Sequence, residues 1–179
     1  QSGGITLRLR GVGTTGNNIG LESSVGVFLD GVYLSRPRIA LADLLDLQQI
    51  EVLRGPQGTL FGRNTSAGAL NIKTKAPNLE GFEGFANATV GNYGLLNVQG
   101  GVNIPVVEDK FGLRLSGAFR ERDGIVQSVP NDSESGVIDH LLFRGQALYD
   151  MNENGSIRVI VDYNESDDQC CDAVWHNDT

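Results

Sequence analysis

The residues able to do chemistry are few, and they form no catalytic set. Gly11-Val12-Gly13-Thr14-Thr15-Gly16 has the G-x-G-x-x-G spacing of a dinucleotide loop, and Asp30 follows at a suitable distance. Such a loop works by opening a helix whose N-terminus meets the pyrophosphate. Here Asn17, Asn18, Gly20, Ser23 and Ser24 follow, which is loop chemistry, and Asp30 is committed to an Asp30-Gly31 turn. A dinucleotide-dependent oxidoreductase would need a helix over residues 16–24. Gly55 to Gly62 has the look of a phosphate loop, but Arg63 and Asn64 stand where Lys and Ser/Thr are required. His140 and His176 fall in loop-like text that favours solvation over catalysis. The adjacent Cys170 and Cys171 have the wrong separation to bond to each other, so each is expected to pair elsewhere. A metal site with Asp167, Asp168, Asp172 or His176 is a weaker alternative, because the spacing fits no standard zinc pattern. Neither an enzyme nor a cofactor is expected.

Composition narrows the class further. Of 179 residues 40% are hydrophobic, so a core is attainable and wholesale disorder is disfavoured. The 24 glycines follow no collagen period and suit turns and close backbone approach. A formal charge of −8 argues against nucleic acid, which rewards basic patches. No apolar run reaches the roughly 18 residues of a transmembrane helix. Strands of a membrane barrel need only about 10 alternating residues each, so that class stays open. No signal peptide is visible, and the ends at Gln1 and Thr179 are expected to be cuts.

The elements that must position these residues change character near residue 78. Before it, short strands alternate with glycine-rich turns. Residues 5–10 suggest a strand. Residues 24–29 and 32–34 flank Asp30-Gly31, a hairpin signal because both turn positions need positive φ. Leu41, Leu44 and Leu45 suggest a short helix over residues 40–47. Strands are expected at 49–53 and 70–74, separated by Gly55, Gly58, Gly62 and Gly68, whose role is read as turns and close approach.

After residue 78, five segments alternate with period two: 82–90, 96–104, 111–120, 141–149 and 157–163. Val98, Leu113, Phe143 and Val159 fall on one face, predicted to be the outer face of an antiparallel meander. A soluble sandwich alternates in the same way. Three features favour a membrane barrel. Aromatics punctuate the apolar face at Phe82, Phe111, Phe119, Tyr149 and Tyr163, as interfacial girdles do. Tight connections are mixed with a long one. The opposite face carries Arg114, Arg120, Arg144, Arg158 and Asp162, which suits a watery lumen.

The run Ile50-Glu51-Val52-Leu53-Arg54-Gly55-Pro56-Gln57-Gly58-Thr59-Leu60-Phe61-Gly62-Arg63-Asn64 resembles the plug signature of TonB-dependent receptors, and it continues through Ala67-Gly68-Ala69-Leu70-Asn71-Ile72-Lys73-Thr74-Lys75. Leu9-Arg10-Gly11-Val12-Gly13 and Val27-Phe28-Leu29-Asp30-Gly31-Val32-Tyr33 are similar to earlier plug strands. Gly91-Asn92-Tyr93, Gly100-Gly101-Val102 and Arg120-Glu121-Arg122-Asp123-Gly124 resemble the first barrel strands and an outer loop. The resemblance implies a mixed fold: the later part of an α/β plug domain over residues 1–78, then antiparallel transmembrane β-barrel strands over residues 79–179, an incomplete barrel. The family's TonB box and first plug elements would precede Gln1, and most of its roughly 22 strands would follow.

The resemblance also implies a function. The expectation is energy-coupled uptake of a scarce, bulky nutrient across the outer membrane of a Gram-negative bacterium, with an iron–siderophore complex as the commonest family cargo. Its partners would be the TonB–ExbB–ExbD complex, reached through the TonB box, the ferric siderophore or another nutrient, and outer-membrane lipid. Plug loops facing outward, here residues 14–23 and 33–39, would contact the ligand. They offer Asn17, Asn18, Tyr33, Ser35, Arg36 and Arg38, and the two arginines suit an anionic cargo. Glu51 and Arg54 are the candidates for contact between plug and barrel wall. The rival reading is a soluble or surface-exposed β-rich binding protein such as an adhesin.

Overall fold

The computed structural model describes residues 7–13, 23–35, 44–127, 134–152 and 155–167. The chain divides into two compact units, Ser2–Lys75 and Ala76–Thr179.

The first unit is built on a mixed four-stranded sheet. β1 (Val25–Leu29) turns through Asp30-Gly31 into β2 (Val32–Leu34); β3 (Leu47–Arg54) and β4 (Gly68–Thr74) flank a single helical turn, α1 (Gly58–Phe61). The strand order is β2-β1-β4-β3, with β1 and β4 parallel and the other pairs antiparallel. The turn is left-handed at both positions (φ 48° and 85°), as a two-residue hairpin requires. Val25, Val27, Phe28, Leu45, Ala67, Ala69 and Ile72 are buried and form the core. β1 and β4 are the two inner strands, each paired on both edges.

Two sequence expectations of this unit run partly outside the described residues. Residues 40–43 of the helix expected over 40–47 lie outside the described residues; of the rest, Leu44 and Leu45 lie in no regular element, Asp46 is left-handed (φ 53°), and Leu47 begins β3. Leu47 pairs with Thr74 of β4, and Leu45 is buried. Of the strand at residues 5–10, the described part retains only a bridge between Leu9 and Val12 across a tight Arg10-Gly11 turn.

The second unit is a five-stranded antiparallel sheet: β5 (Glu83–Val90), β6 (Leu96–Val107), β7 (Phe111–Arg122), β10 (Ile138–Asn152) and β11 (Gly155–Ser166), ordered β11-β10-β7-β6-β5 and not closed. A small ladder of β8 (Val126–Gln127) and β9 (Glu134–Ser135) lies within the β7–β10 connection. β6, β7, β10 and β11 overrun the segments expected from alternation, and β5 starts one residue later than expected. β6 passes through Pro105 because a register shift between Pro105 and Val107 accommodates a residue with no N–H to give. In cross-strand register, Ile104, Leu113, Ala147 and Val159 form one row, and Gly117, Phe143 and Tyr163 another.

The two faces of this sheet are inverted relative to a soluble protein. Val98, Ile104, Leu115, Phe143, Tyr149, Val159, Val161 and Tyr163 are exposed, and Leu113 is half-buried. Asn103, Arg114, Ser116, His140, Arg144 and Gln146, on the other face, are buried. His140, expected in a solvated loop, is thus a buried member of β10.

Candidate functional site

The glycine-rich run between β3 and β4 folds back on the sheet through backbone bonds. Gly55 N–H donates to Ala67 O (3.2 Å), Gln57 N–H to Thr65 O (2.9 Å), and Ala67 N–H to Ser24 O (2.9 Å). Gly55 and Gly62 have positive φ as expected, whereas Gly58 opens the helical turn. Gly68 carries the strictest demand. Its φ is 149°, and a Cβ there would collide with Leu53 O and Leu9 Cδ1. Thr65, almost fully buried, donates its hydroxyl to Gly62 O at 2.7 Å.

Tyr33 is the middle residue of β2 and the first of the expected ligand loop. Its hydroxyl accepts a hydrogen bond from Asn64 Nδ2 at 2.9 Å, and its ring lies 5.5 Å from that of Phe28, which in turn meets Phe61 at 4.8 Å. Tyr33 therefore ties the loop's start to the glycine-rich run. Ser35 is exposed. Asn17, Asn18, Arg36 and Arg38 lie outside the described residues, as do Cys170 and Cys171. Glu51 is engaged within its own sheet: it accepts from Asn71 Nδ2 (2.6 Å), Gln49 Nε2 (2.6 Å) and Lys73 Nζ (3.2 Å). These partners hold its carboxyl below the ordinary glutamate range, Asn71 foremost and Lys73 next. Arg54 is exposed at the end of β3.

Three residues matter that the sequence did not single out for this work. Asp30, read as a turn residue, accepts from Thr74 N–H (2.9 Å) and from the Thr74 hydroxyl (2.7 Å), closing the hairpin onto the end of β4. Asn64 is the partner of Tyr33. Asn103, fully buried, accepts from Asn78 N–H (2.8 Å) and donates to Asn78 O (2.8 Å) and Gly81 O (2.7 Å). Their signal lies in long-range pairing, which spacing along the chain does not carry.

On the buried polar face of the second unit, Arg144 Nε pairs with Asp162, and Arg158 donates from Nε (3.0 Å) and Nη2 (2.6 Å) to Gln146 Oε1. A sheet that hides paired arginines and amides and displays Val, Leu, Phe and Tyr is the outward-apolar, inward-polar wall of a membrane barrel. Among the described residues no cluster of His, Cys, Asp and Glu could hold a metal ion, and no helix is long and apolar enough to cross a membrane.

Residues 1–69 match the family model of the TonB-dependent Receptor Plug Domain. Over residues 1–69 the chain belongs to the TonB-dependent receptor plug family. It also resembles curated receptors over part of their length. The chain is 37% identical over 75 residues to the pesticin receptor of Yersinia pestis, a match covering 40% of this chain and 10% of that protein. It is 33% identical over 90 residues to the catecholate siderophore receptor Fiu of Escherichia coli K12, covering 46% of this chain and 11% of that receptor. The fold is that of the ferric yersiniabactin uptake receptor FyuA from Yersinia pestis (TM-score 0.65, 22% identity, 72% of this chain and 20% of that one). It is equally that of the pyoverdine outer membrane receptor FpvA from Pseudomonas aeruginosa (TM-score 0.66, 19% identity, 79% and 20%). The chain thus spans a small fraction of the receptors it matches. Mixed plug sheet and unclosed antiparallel wall are both elements of that fold.

Proposed function

We propose that the full-length protein is an outer-membrane receptor that takes up an iron–siderophore complex by TonB-coupled active transport in a Gram-negative bacterium. The observation that carries this reading is a plug-family sequence followed directly by a sheet that exposes its apolar face. Neither a catalyst nor a soluble binding module has use for that combination. The relatives named for siderophores point to the cargo class. Residues 1–78 would be the later plug and residues 79–179 the first barrel strands, with TonB–ExbB–ExbD supplying energy through a TonB box.

In this reading Asn17, Asn18, Ser35, Arg36 and Arg38 contact the cargo, and Tyr33, through Asn64, anchors the loop that bears the arginines. Glu51 and Arg54 would meet the barrel wall. Glu51 has strong partners inside the plug, so Arg54 is the better candidate of the two.

The test is uptake of radiolabelled iron by cells lacking the gene, complemented with the full-length gene, in the presence and absence of TonB. Ferric catecholate, ferric yersiniabactin and ferripyoverdine serve as probes. The expected result is TonB-dependent uptake of at least one of them. Complemented cells that bind but never accumulate any of the three would overturn the siderophore assignment, and uptake independent of TonB would overturn the coupling.

A further inference from the structure

From the two clasps that flank the boundary between the units, we infer that residues 75 and 76 form a short joint held rigidly on both sides. Any displacement of the plug relative to the wall turns about Ala76, and the segment from Pro77 to Gly81 stays fixed to the wall.

On the plug side, β4 ends at Thr74, which is almost fully buried and held twice by Asp30. Lys75 N–H donates to Asp46 O at 2.9 Å. On the wall side, Asn103 grips Asn78 and Gly81 by three side-chain hydrogen bonds. Asn78 also caps its own turn, accepting from Glu80 N–H at 3.0 Å, and its amide reaches Glu83 at 3.0 Å. Gly112 leaves the room for this segment: a Cβ there would sit 2.9 Å from Leu79 Cδ2 and 3.4 Å from Asn78 O. Little freedom remains between the clasps. Proline fixes its own φ and confines the preceding residue to extended conformations. The rotation left is chiefly ψ of Lys75 and φ of Ala76, where the two compact units divide. Because the joint attaches to β4, any pull between plug and wall passes through that inner strand, whose end the Asp30–Thr74 clasp holds.

Pulsed electron–electron resonance distances test this in the full-length receptor in outer-membrane vesicles, with Cys170 and Cys171 replaced by Ser. One spin-label pair spans the joint (Lys73→Cys with Glu80→Cys), and one lies wholly on the wall side (Glu80→Cys with Glu108→Cys). Urea is raised to levels at which the barrel keeps its heat-modifiable gel migration, so failure of the barrel reading shows separately. The expected result is broadening of the joint-spanning distance while the wall-side distance stays narrow. Broadening of the wall-side pair, or no change in either once plug protection from proteolysis is lost, would overturn the inference. Asn103→Ala should broaden the wall-side distance without urea. If that variant fails to assemble, Asn103→Asp, which keeps the acceptor and loses the donor, should broaden it partly. A wall-side distance as narrow as that of the unsubstituted receptor in an assembled variant refutes the clasp.

Discussion

Replacing Leu115 by Arg should cost about 2–4 kcal/mol of barrel stability in a bilayer, whereas Glu121→Arg on the same strand and face should cost at most about 1 kcal/mol. On the exposed face of β7 the order is Phe111, Leu113, Leu115, Gly117, Phe119, Glu121. At a rise of about 3.4 Å per residue, the two phenylalanines lie roughly 27 Å apart along the strand. A tilt of about 40° reduces that to roughly 20 Å of membrane depth, close to the apolar band of a barrel, with Leu115 at its centre. Glu121 lies beyond the upper aromatic, where a charge meets headgroups. Leu115→Ala measures the packing lost, so the excess of the Arg variant over it isolates the charge. The assay is equilibrium folding of the full-length receptor from guanidinium into phospholipid vesicles. If water bathed this face, Leu115→Arg would fall within about 0.5 kcal/mol of Leu115→Ala, as exposed substitutions do. That outcome, or equal costs at residues 115 and 121, would refute the membrane reading.

Other expectations concern the plug, read by urea unfolding of the full-length receptor unless stated. Asp30→Ala removes both bonds to Thr74 and should destabilise the plug by about 2–4 kcal/mol, since bonds to a charged acceptor are worth roughly 1.5–3 kcal/mol each and the site is only part-buried; a loss under about 0.5 kcal/mol would show the clasp to be incidental. Gly68→Ala meets Leu53 O and Leu9 at a backbone angle alien to L-residues, so little correctly assembled receptor should be recovered, and near-normal yield would count against the geometry. Because the folded pKa of Glu51 is depressed, its contribution is present above the unfolded value of about 4.3 and is lost as pH falls through the folded one. Glu51→Gln should flatten that acid limb, and an unchanged pH profile would contradict the Asn71 and Lys73 bonds. Arg36→Ala with Arg38→Ala should weaken cargo binding by about 2–5 kcal/mol in a ligand titration if the charges are buried against the cargo; unchanged affinity would leave them a structural role.

Local chemistry was legible where the cause is local. Asp30-Gly31 announced a hairpin because two left-handed residues in a row admit few sequences, and the structure has that hairpin. The plug signature announced its family because it is one continuous run from Ile50 to Asn64, and residues 1–69 match the plug family model. What the sequence misassigned was decided at a distance. Leu47 ends a segment read as helical, but it pairs with Thr74 across the sheet and begins β3. Pro105 looked like a strand end, and it would be one without the neighbouring irregularity that lets β6 continue. Asp30 offered a turn and also a bond to a residue far along the chain. Only the turn was visible in one dimension.

The alternation in β5–β11 poses a different limit. A period of two says that the two faces differ, and it does not say which one is inside. A sandwich and a membrane wall share the same text, and aromatics and loop lengths only tilt the choice. The decision comes from which atoms are hidden. In a soluble core the buried row would read Val, Leu, Phe and Tyr, and burying arginine there would demand compensation at every site. Here the buried row reads Asn103, Arg114, Ser116, His140, Arg144 and Gln146, while Phe143 and Val159 remain about half exposed at 48% and 53%. The arginines are answered within the same face, Arg144 by Asp162 and Arg158 by Gln146, which is how a polar interior satisfies itself. An apolar surface of this extent marks contact with a membrane or with other protein. Together with the charged, hydrogen-bonded opposite face, the inversion fits a barrel wall. It also explains why a net charge of −8 was compatible with a membrane: among the described residues the wall keeps its charges on the inner face, in the turns and near the strand ends, as at Glu121, Asp139 and Glu165.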